Sequence, residues 1–188
     1  DSAPAQKTAE YRDGIAKLWD RDVPSLRPLL ARVRDENPTG ALKVYPGSPA
    51  IARRYLRHDD RLTLNELHPG AFAALKRWAR GDARITVHRR DGLEALLALV
   101  PPRPRRGLVL IDPSYEIKTD YAAIPAKVAK ALHKWREGIF TVWYPLLSDN
   151  RHSALLEGLR TLSAPCFASE LQFRRRPRRA ITGRSEEH

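Results

Sequence analysis

The run Gly107-Leu108-Val109-Leu110-Ile111-Asp112-Pro113-Ser114-Tyr115-Glu116 leaves the backbone few choices. Its short, continuous apolar part is entered through a glycine and stopped by a proline. That pattern fits a strand buried on both faces of a parallel sheet. Asp112 then falls at the carboxyl end of the strand, where open α/β sheets bind their ligands. Pro113 stiffens the turn and Tyr115 sets an aromatic ring beside the carboxylate. An acid, a rigid turn and a ring within four residues form a pocket for a flat, amino-bearing group such as adenine. The competing reading is a β-turn with proline at its second position and a packed tyrosine.

The elements around this strand alternate. Helical spacing of Tyr11, Ile15, Leu18 and Trp19 predicts a helix over residues 10–19, with Trp19 in a core. A second helix is expected after Pro24, with Leu26, Leu29, Leu30 and Val33 on one face, ending before the breaker Asn37-Pro38-Thr39-Gly40. Residues 42–45 read as a short extended segment. Pro46-Gly47-Ser48-Pro49 then reads as a helix entrance, with Ser48 as N-cap and Pro49 at the first helical position. Strands are expected over residues 61–67, 84–88, 138–144 and 166–173, and helices over 71–79, 93–99, 121–135 and 150–162. Strands separated by helices argue for a parallel, doubly wound sheet.

Two further acids fall at strand ends. Glu66 closes its strand before His68-Pro69-Gly70, a position that commonly bonds ribose hydroxyls, although a solvated glutamate reads equally well. Asp91-Gly92 is first a turn, or an N-cap for the helix that follows. It also places a carboxylate and a close backbone approach where a cofactor's adenine could lie.

A length of 188 residues suits one domain, with room for a subdomain. The formal charge of +12 makes an acidic polymer the natural partner. Arg103, Arg105 and Arg106 crowd the loop before the organising strand, and a tail from Arg174 carries six arginines by Arg184. No apolar run approaches the roughly 20 residues of a membrane span. The single cysteine, Cys166, excludes an internal disulfide framework and suits a reducing compartment, with the cytoplasm as the default. The six histidines show no metal-ligand spacing with Cys166, so no metal is expected. The ten glycines never form Gly-x-Gly, so there is no phosphate loop.

Asp112-Pro113-Ser114-Tyr115 resembles the Asp/Asn-Pro-Pro-Tyr/Phe motif of amino-methyltransferases, with Ser114 in place of the second proline. Pro46-Gly47-Ser48-Pro49, Glu66-Leu67-His68-Pro69, Asp91-Gly92, the stretch from Arg105 through Tyr121, and Trp143-Tyr144-Pro145 follow the order found in the ribosomal large-subunit methyltransferase J family. The resemblance spans residues 10–145. It implies an α/β fold: a Rossmann-like class I methyltransferase sheet with a small helical insertion subdomain. Residues 1–40 would be the insertion, 41–173 the core and 174–188 a basic tail. It also implies S-adenosylmethionine as cofactor and N6 of an adenine in large-subunit ribosomal RNA as target, with a monomeric enzyme.

Carried over by position, Ser48, Glu66, Asp91, Gly92 and Asp112 resemble cofactor-contacting residues, with Glu66 at the ribose and Asp91 at the cofactor's adenine. Asp112 resembles the catalytic acid, its carboxylate accepting from the target amine with the Pro113 carbonyl as second acceptor. Tyr115 would stack on the extruded base. The family's first strand with its Gly-containing cofactor loop, and its carboxyl-terminal Asn-Pro-Pro-Trp region, have no counterpart in this sequence. The alternatives are a catalytically inert, basic RNA-binding fragment and a nicotinamide oxidoreductase, since Glu66 also suits that cofactor's ribose.

Overall fold

A computed structural model of the chain describes residues 14–115, 120–147 and 149–170. The chain divides into two compact units, Asp1–Arg90 and Asp91–His188.

In the first unit, 3-10 turns at Ile15–Leu18 and Pro24–Leu26 lead into helix α1, Arg27–Asp35. Of the helix expected over residues 10–19, the described part holds a 3-10 turn at Ile15–Leu18 and no α-helix; residues 10–13 lie outside the described residues. Gly14 precedes that turn with no side-chain cap, and a glycine there costs about 1 kcal/mol of helix propensity. Helix α1 buries Leu30 and Val33, as the apolar spacing requires. Trp19 is half-buried, and its Nε1 donates to the Gly40 carbonyl at 3.1 Å.

The breaker after α1 also works as an anchor. Asn37 is 4 % exposed. Its Nδ2 donates to the carbonyls of Val33 and Val44, and its Oδ1 accepts from the amides of Lys43 and Val44, all at 2.7–2.9 Å. One side chain thus does for the extended segment 42–45 what a neighbouring strand would do. Gly40, at φ +78°, supplies the left-handed turn between them.

Helix α2, Ser48–Tyr55, starts one residue earlier than expected. Gly47 is the N-cap residue, Ser48 occupies the first helical position and makes no capping bond, and Pro49 follows inside the first turn. A proline needs no amide partner anywhere in that turn, so both registers satisfy it. Strand β1, Leu62–Asn65, helix α3, Pro69–Trp78, and strand β2, Ile85–His88, complete the unit. The strands pair in parallel, Leu62 opposite Ile85 through Asn65 opposite His88. Asp82, at the turn before β2, accepts from Arg84 and Arg53, and Arg84 Nη1 donates to the Leu56 carbonyl, tying the end of α2 to β2.

The second unit runs helix α4, Gly92–Leu99, strand β3, Leu108–Ile111, helix α5, Asp120–Lys134, strand β4, Ile139–Val142, and helix α6, His152–Arg160. Strands β3 and β4 are parallel, Leu108 opposite Ile139 through Ile111 opposite Val142. Val109, Ile111, Phe140 and Val142 face a core built on Leu96, Ile124, Val128, Ala131, Trp135 and Leu155. Trp135 is fully buried, edge-on to Phe140, with its Nε1 donating to the Arg105 carbonyl. A Cβ on Gly138 would lie 2.5 Å from the Trp135 ring, so only glycine fits there.

Burial on both faces of β3 does not hold. Leu108 is 63 % exposed, Leu110 46 % and Ile139 60 %. The core helices pack on one face, and the other is open among the described residues. The expected strand over residues 166–173 is also absent where described: 166–170 are irregular, and 171–173, with the basic tail, lie outside the described residues. Among the described residues each unit holds one two-stranded parallel sheet, β1 with β2 in the first and β3 with β4 in the second. No helix among the described residues is long and apolar enough to cross a membrane.

Candidate active site

Each acid singled out in the sequence follows the carboxyl end of a parallel strand. Glu66 is the residue after β1, Asp91 comes shortly after β2, and Asp112 is the residue after β3. In a parallel ladder the last carbonyls point past the sheet, and side chains there face whatever the sheet binds.

At the end of β3 the ladder continues one step: the Trp143 amide donates to the Ile111 carbonyl at 2.9 Å. This sets Trp143 beside the start of the Asp112-Pro113-Ser114-Tyr115 turn. Asp112 is exposed as a residue, and among the described residues its carboxylate has no hydrogen-bond or ion-pair partner. Surrounding protein partly desolvates it and raises its pKa above the ordinary aspartate value. An uncommitted carboxylate is notable in a chain with 34 Lys and Arg against 22 Asp and Glu.

Tyr115 points inward. It is 6 % exposed, its ring stacks on Tyr121 at 4.5 Å, and its hydroxyl donates to the Trp143 carbonyl at 2.6 Å. Burial, and then the neighbouring Tyr121 and Asp112, push the phenol pKa up, which keeps the hydroxyl a neutral donor. Its φ of +55° is the left-handed conformation, uncommon for a residue with a Cβ. Such strain persists where surroundings over-determine it, and here the ring stack and the hydroxyl bond hold it. The packed-tyrosine reading of this turn describes the geometry of Tyr115.

Asp91 is the N-cap of α4, its Oδ1 accepting from the Leu93 and Glu94 amides at 3.0 Å each. That leaves Oδ2 without a partner among the described residues. A Cβ on Gly92 would meet nothing within 4 Å, so open space lies over the first turn. Glu66 Oε1 accepts from the His68 amide at 2.8 Å, and Oε2 has no described partner. Ser48 is exposed, and its hydroxyl makes no hydrogen bond among the described residues. Asp112, Pro113, Tyr115, Asp91 and Gly92 belong to the second unit, Ser48 and Glu66 to the first.

Trp143 was given no role by the sequence, yet it is 53 % exposed at the same strand edge as Asp112. An aromatic residue immediately after a strand was the available signal. The arginine loop enters β3 at its amino end, opposite Asp112. Arg105 there is committed to the Lys134 carbonyl and to Glu137. A cavity of about 670 Å³ lined by Trp19, Arg27, Arg34 and Asn37 contains none of the motif residues. Among the described residues no group of His, Cys, Asp and Glu is arranged to hold a metal ion.

The sequence profile of the family described as ribosomal RNA large subunit methyltransferase D, RlmJ, matches residues 1–182. The chain belongs to this family. Ribosomal RNA large subunit methyltransferase J of Escherichia coli (strain K12) is 43 % identical over 160 residues, 84 % of this chain and 57 % of that protein. The protein of the same name from Haemophilus influenzae is 36 % identical over 161 residues, with the same shares. A crystal structure of protein LPL1258 from Legionella pneumophila superposes with a TM-score of 0.78 at 38 % identity, over 83 % of this chain and 60 % of that one. The chain thus spans under two thirds of the length of the RlmJ-family proteins it matches. The family is one of methyltransferases, which removes the support for a nicotinamide oxidoreductase.

Proposed function

We propose that this chain carries the catalytic edge of an S-adenosylmethionine-dependent methyltransferase acting on the exocyclic N6 of an adenine in large-subunit ribosomal RNA. The observation that carries the reading is the Asp112 carboxylate, free of described partners at the end of a parallel strand, in a family named for large-subunit ribosomal RNA methylation. The fold in this reading is Rossmann-like, of class I methyltransferase type. The parallel strand pairs with helical crossovers and the likeness to LPL1258 support that.

The residues present suit the cofactor. Glu66 in the first unit and Asp91 in the second each keep one carboxylate oxygen without a partner among the described residues; the family resemblance gives Glu66 to the ribose hydroxyls and Asp91 to the adenine amino group. The open space over Gly92 admits a flat ring close to the backbone, and the Ser48 hydroxyl adds a further polar contact. When bound, S-adenosylmethionine supplies an electrophilic methyl group on a sulfonium sulfur.

The nitrogen of an adenine amine is a poor nucleophile because its lone pair is delocalised into the ring. Asp112 accepts a hydrogen bond from one N–H and the Pro113 carbonyl from the other, which turns the lone pair out of conjugation. This is positioning more than strong base chemistry. Tyr115 then contributes the ring face turned away from Tyr121, which the base must uncover. The net charge of +12 draws the RNA in. This reading makes the chain a cytoplasmic protein that works as a monomer.

The test is transfer of a labelled methyl group to large-subunit ribosomal RNA, followed by nucleoside mass spectrometry. N6-methyladenosine that disappears with Asp112→Ala is expected. Label in another nucleoside, or unchanged transfer by that variant, would overturn the reading. Calorimetry with S-adenosylmethionine separates a cofactor-competent chain, which gives heat, from an RNA-binding module, which gives none.

A further inference from the structure

We propose that Trp143 is a base-stacking residue of the RNA site, holding the nucleobase next to the one that Asp112 addresses. The inference rests on the RNA-methyltransferase reading and deepens it. Tyr115, the aromatic residue of the motif, is 6 % exposed, with one face against Tyr121 and its hydroxyl on the Trp143 carbonyl. Trp143 is 53 % exposed, and its amide continues the β3–β4 ladder at Ile111, the residue before Asp112. A large aromatic surface in water, fixed through its own backbone amide and carbonyl, stands ready for a flat ligand.

The geometry decides which base Trp143 takes. A base clamped between two rings needs them parallel and about 7 Å apart, twice the contact distance of roughly 3.5 Å. Trp143 and Tyr115 are 6.3 Å apart and inclined at 47°. They cannot sandwich one base, so the Trp143 face serves a second. Stacking on a neighbouring base also steadies the nucleotide beside the one drawn out of the helix, a recurrent use of aromatic residues on single-stranded RNA. Trp143 carries no charge, so its contribution is independent of the electrostatic attraction supplied by the arginines.

The test uses this chain and two probes, a short single-stranded oligoadenylate and an abasic ribose-phosphate oligomer of the same length. Trp143→Ala should weaken oligoadenylate binding by roughly 5- to 150-fold, the value of one stacked base. Trp143→Phe should recover most of the loss, and abasic binding and the salt slope should stay as in the parent chain. Quenching of tryptophan fluorescence by oligoadenylate should shrink in Trp143→Phe. Far-UV circular dichroism checks that both variants fold, as expected for a half-exposed side chain. Unchanged oligoadenylate affinity in Trp143→Ala overturns the inference while leaving RNA binding standing. So does an equal loss for both probes, which would make the ring a support for the strand edge. If the parent chain binds neither probe at any salt concentration, the RNA reading fails and this inference with it.

Discussion

The Tyr115 hydroxyl and the Trp143 carbonyl lie 2.6 Å apart, joining the segments that leave two adjacent parallel strands. The bond helps hold Tyr115 at a φ of +55° and so fixes the turn that begins with Asp112. Tyr115→Phe keeps the stack on Tyr121 and deletes only this bond. The expected cost is about 1 kcal/mol, read as faster amide exchange at the ends of β3 and β4 and a lower denaturation midpoint. No change in either would show that the ring stack alone holds the turn.

Function and stability should part company at Asp112. Its pKa is raised by desolvation, so the folded state favours the protonated form and ionisation at neutral pH costs stability. Asp112→Asn removes that cost. The variant should melt at the same temperature as the parent protein or higher at pH 7, while methyl transfer falls by at least about 100-fold. In the parent protein, transfer should fall on acidification at a pH above the ordinary aspartate range. A destabilised Asp112→Asn would point to a buried structural role.

Gly92 offers the reverse trade. Its first-turn position is open around the missing Cβ and its φ is not left-handed, so alanine fits. Gly92→Ala should raise stability by up to about 1 kcal/mol through the smaller entropy of the unfolded chain. If the cofactor's adenine lies over this turn, affinity for S-adenosylmethionine drops at the same time. Thermal melting and calorimetry read the two effects separately; unimpaired cofactor binding would move the adenine elsewhere.

Much of this arrangement could be read from residues 48–160, because the apolar periods there are clean and each strand end is marked by a polar or proline break. The helices α2 to α6 and strands β1 to β4 fall within a few residues of expectation, and Glu66, Asp91 and Asp112 follow their strands as anticipated. What escaped depends on partners remote in sequence. An apolar run such as Leu108–Ile111 does not say how many of its faces will be covered. Asn37 reads as a helix breaker in the sequence because three of its four hydrogen bonds go to the segment beyond it, at Lys43 and Val44, and only one returns to the helix, at the Val33 carbonyl. The inward turn of Tyr115 depends on Tyr121 and on a carbonyl 28 residues away, and the same displacement leaves Trp143 as the exposed ring.

Acid should act on the first unit through Asp82. Its side chain is 8 % exposed. Its Oδ1 accepts from the Arg84 amide and Nε, and its Oδ2 from Arg84 Nη2 and Arg53 Nε. The Arg84 guanidinium, above all, holds this carboxyl well below the usual aspartate range. A lowered folded pKa means that the ion pair's contribution is complete above the unfolded value of about 4 and is lost as the pH falls below it. Asp82→Asn should therefore be less stable than the parent chain at pH 7, with the gap narrowing toward pH 3. Urea denaturation at the two pH values, monitored by amide exchange in β1 and β2, makes the comparison. A gap that stays constant would mean that packing around Arg84, and not the Asp82 charge, ties the end of α2 to β2.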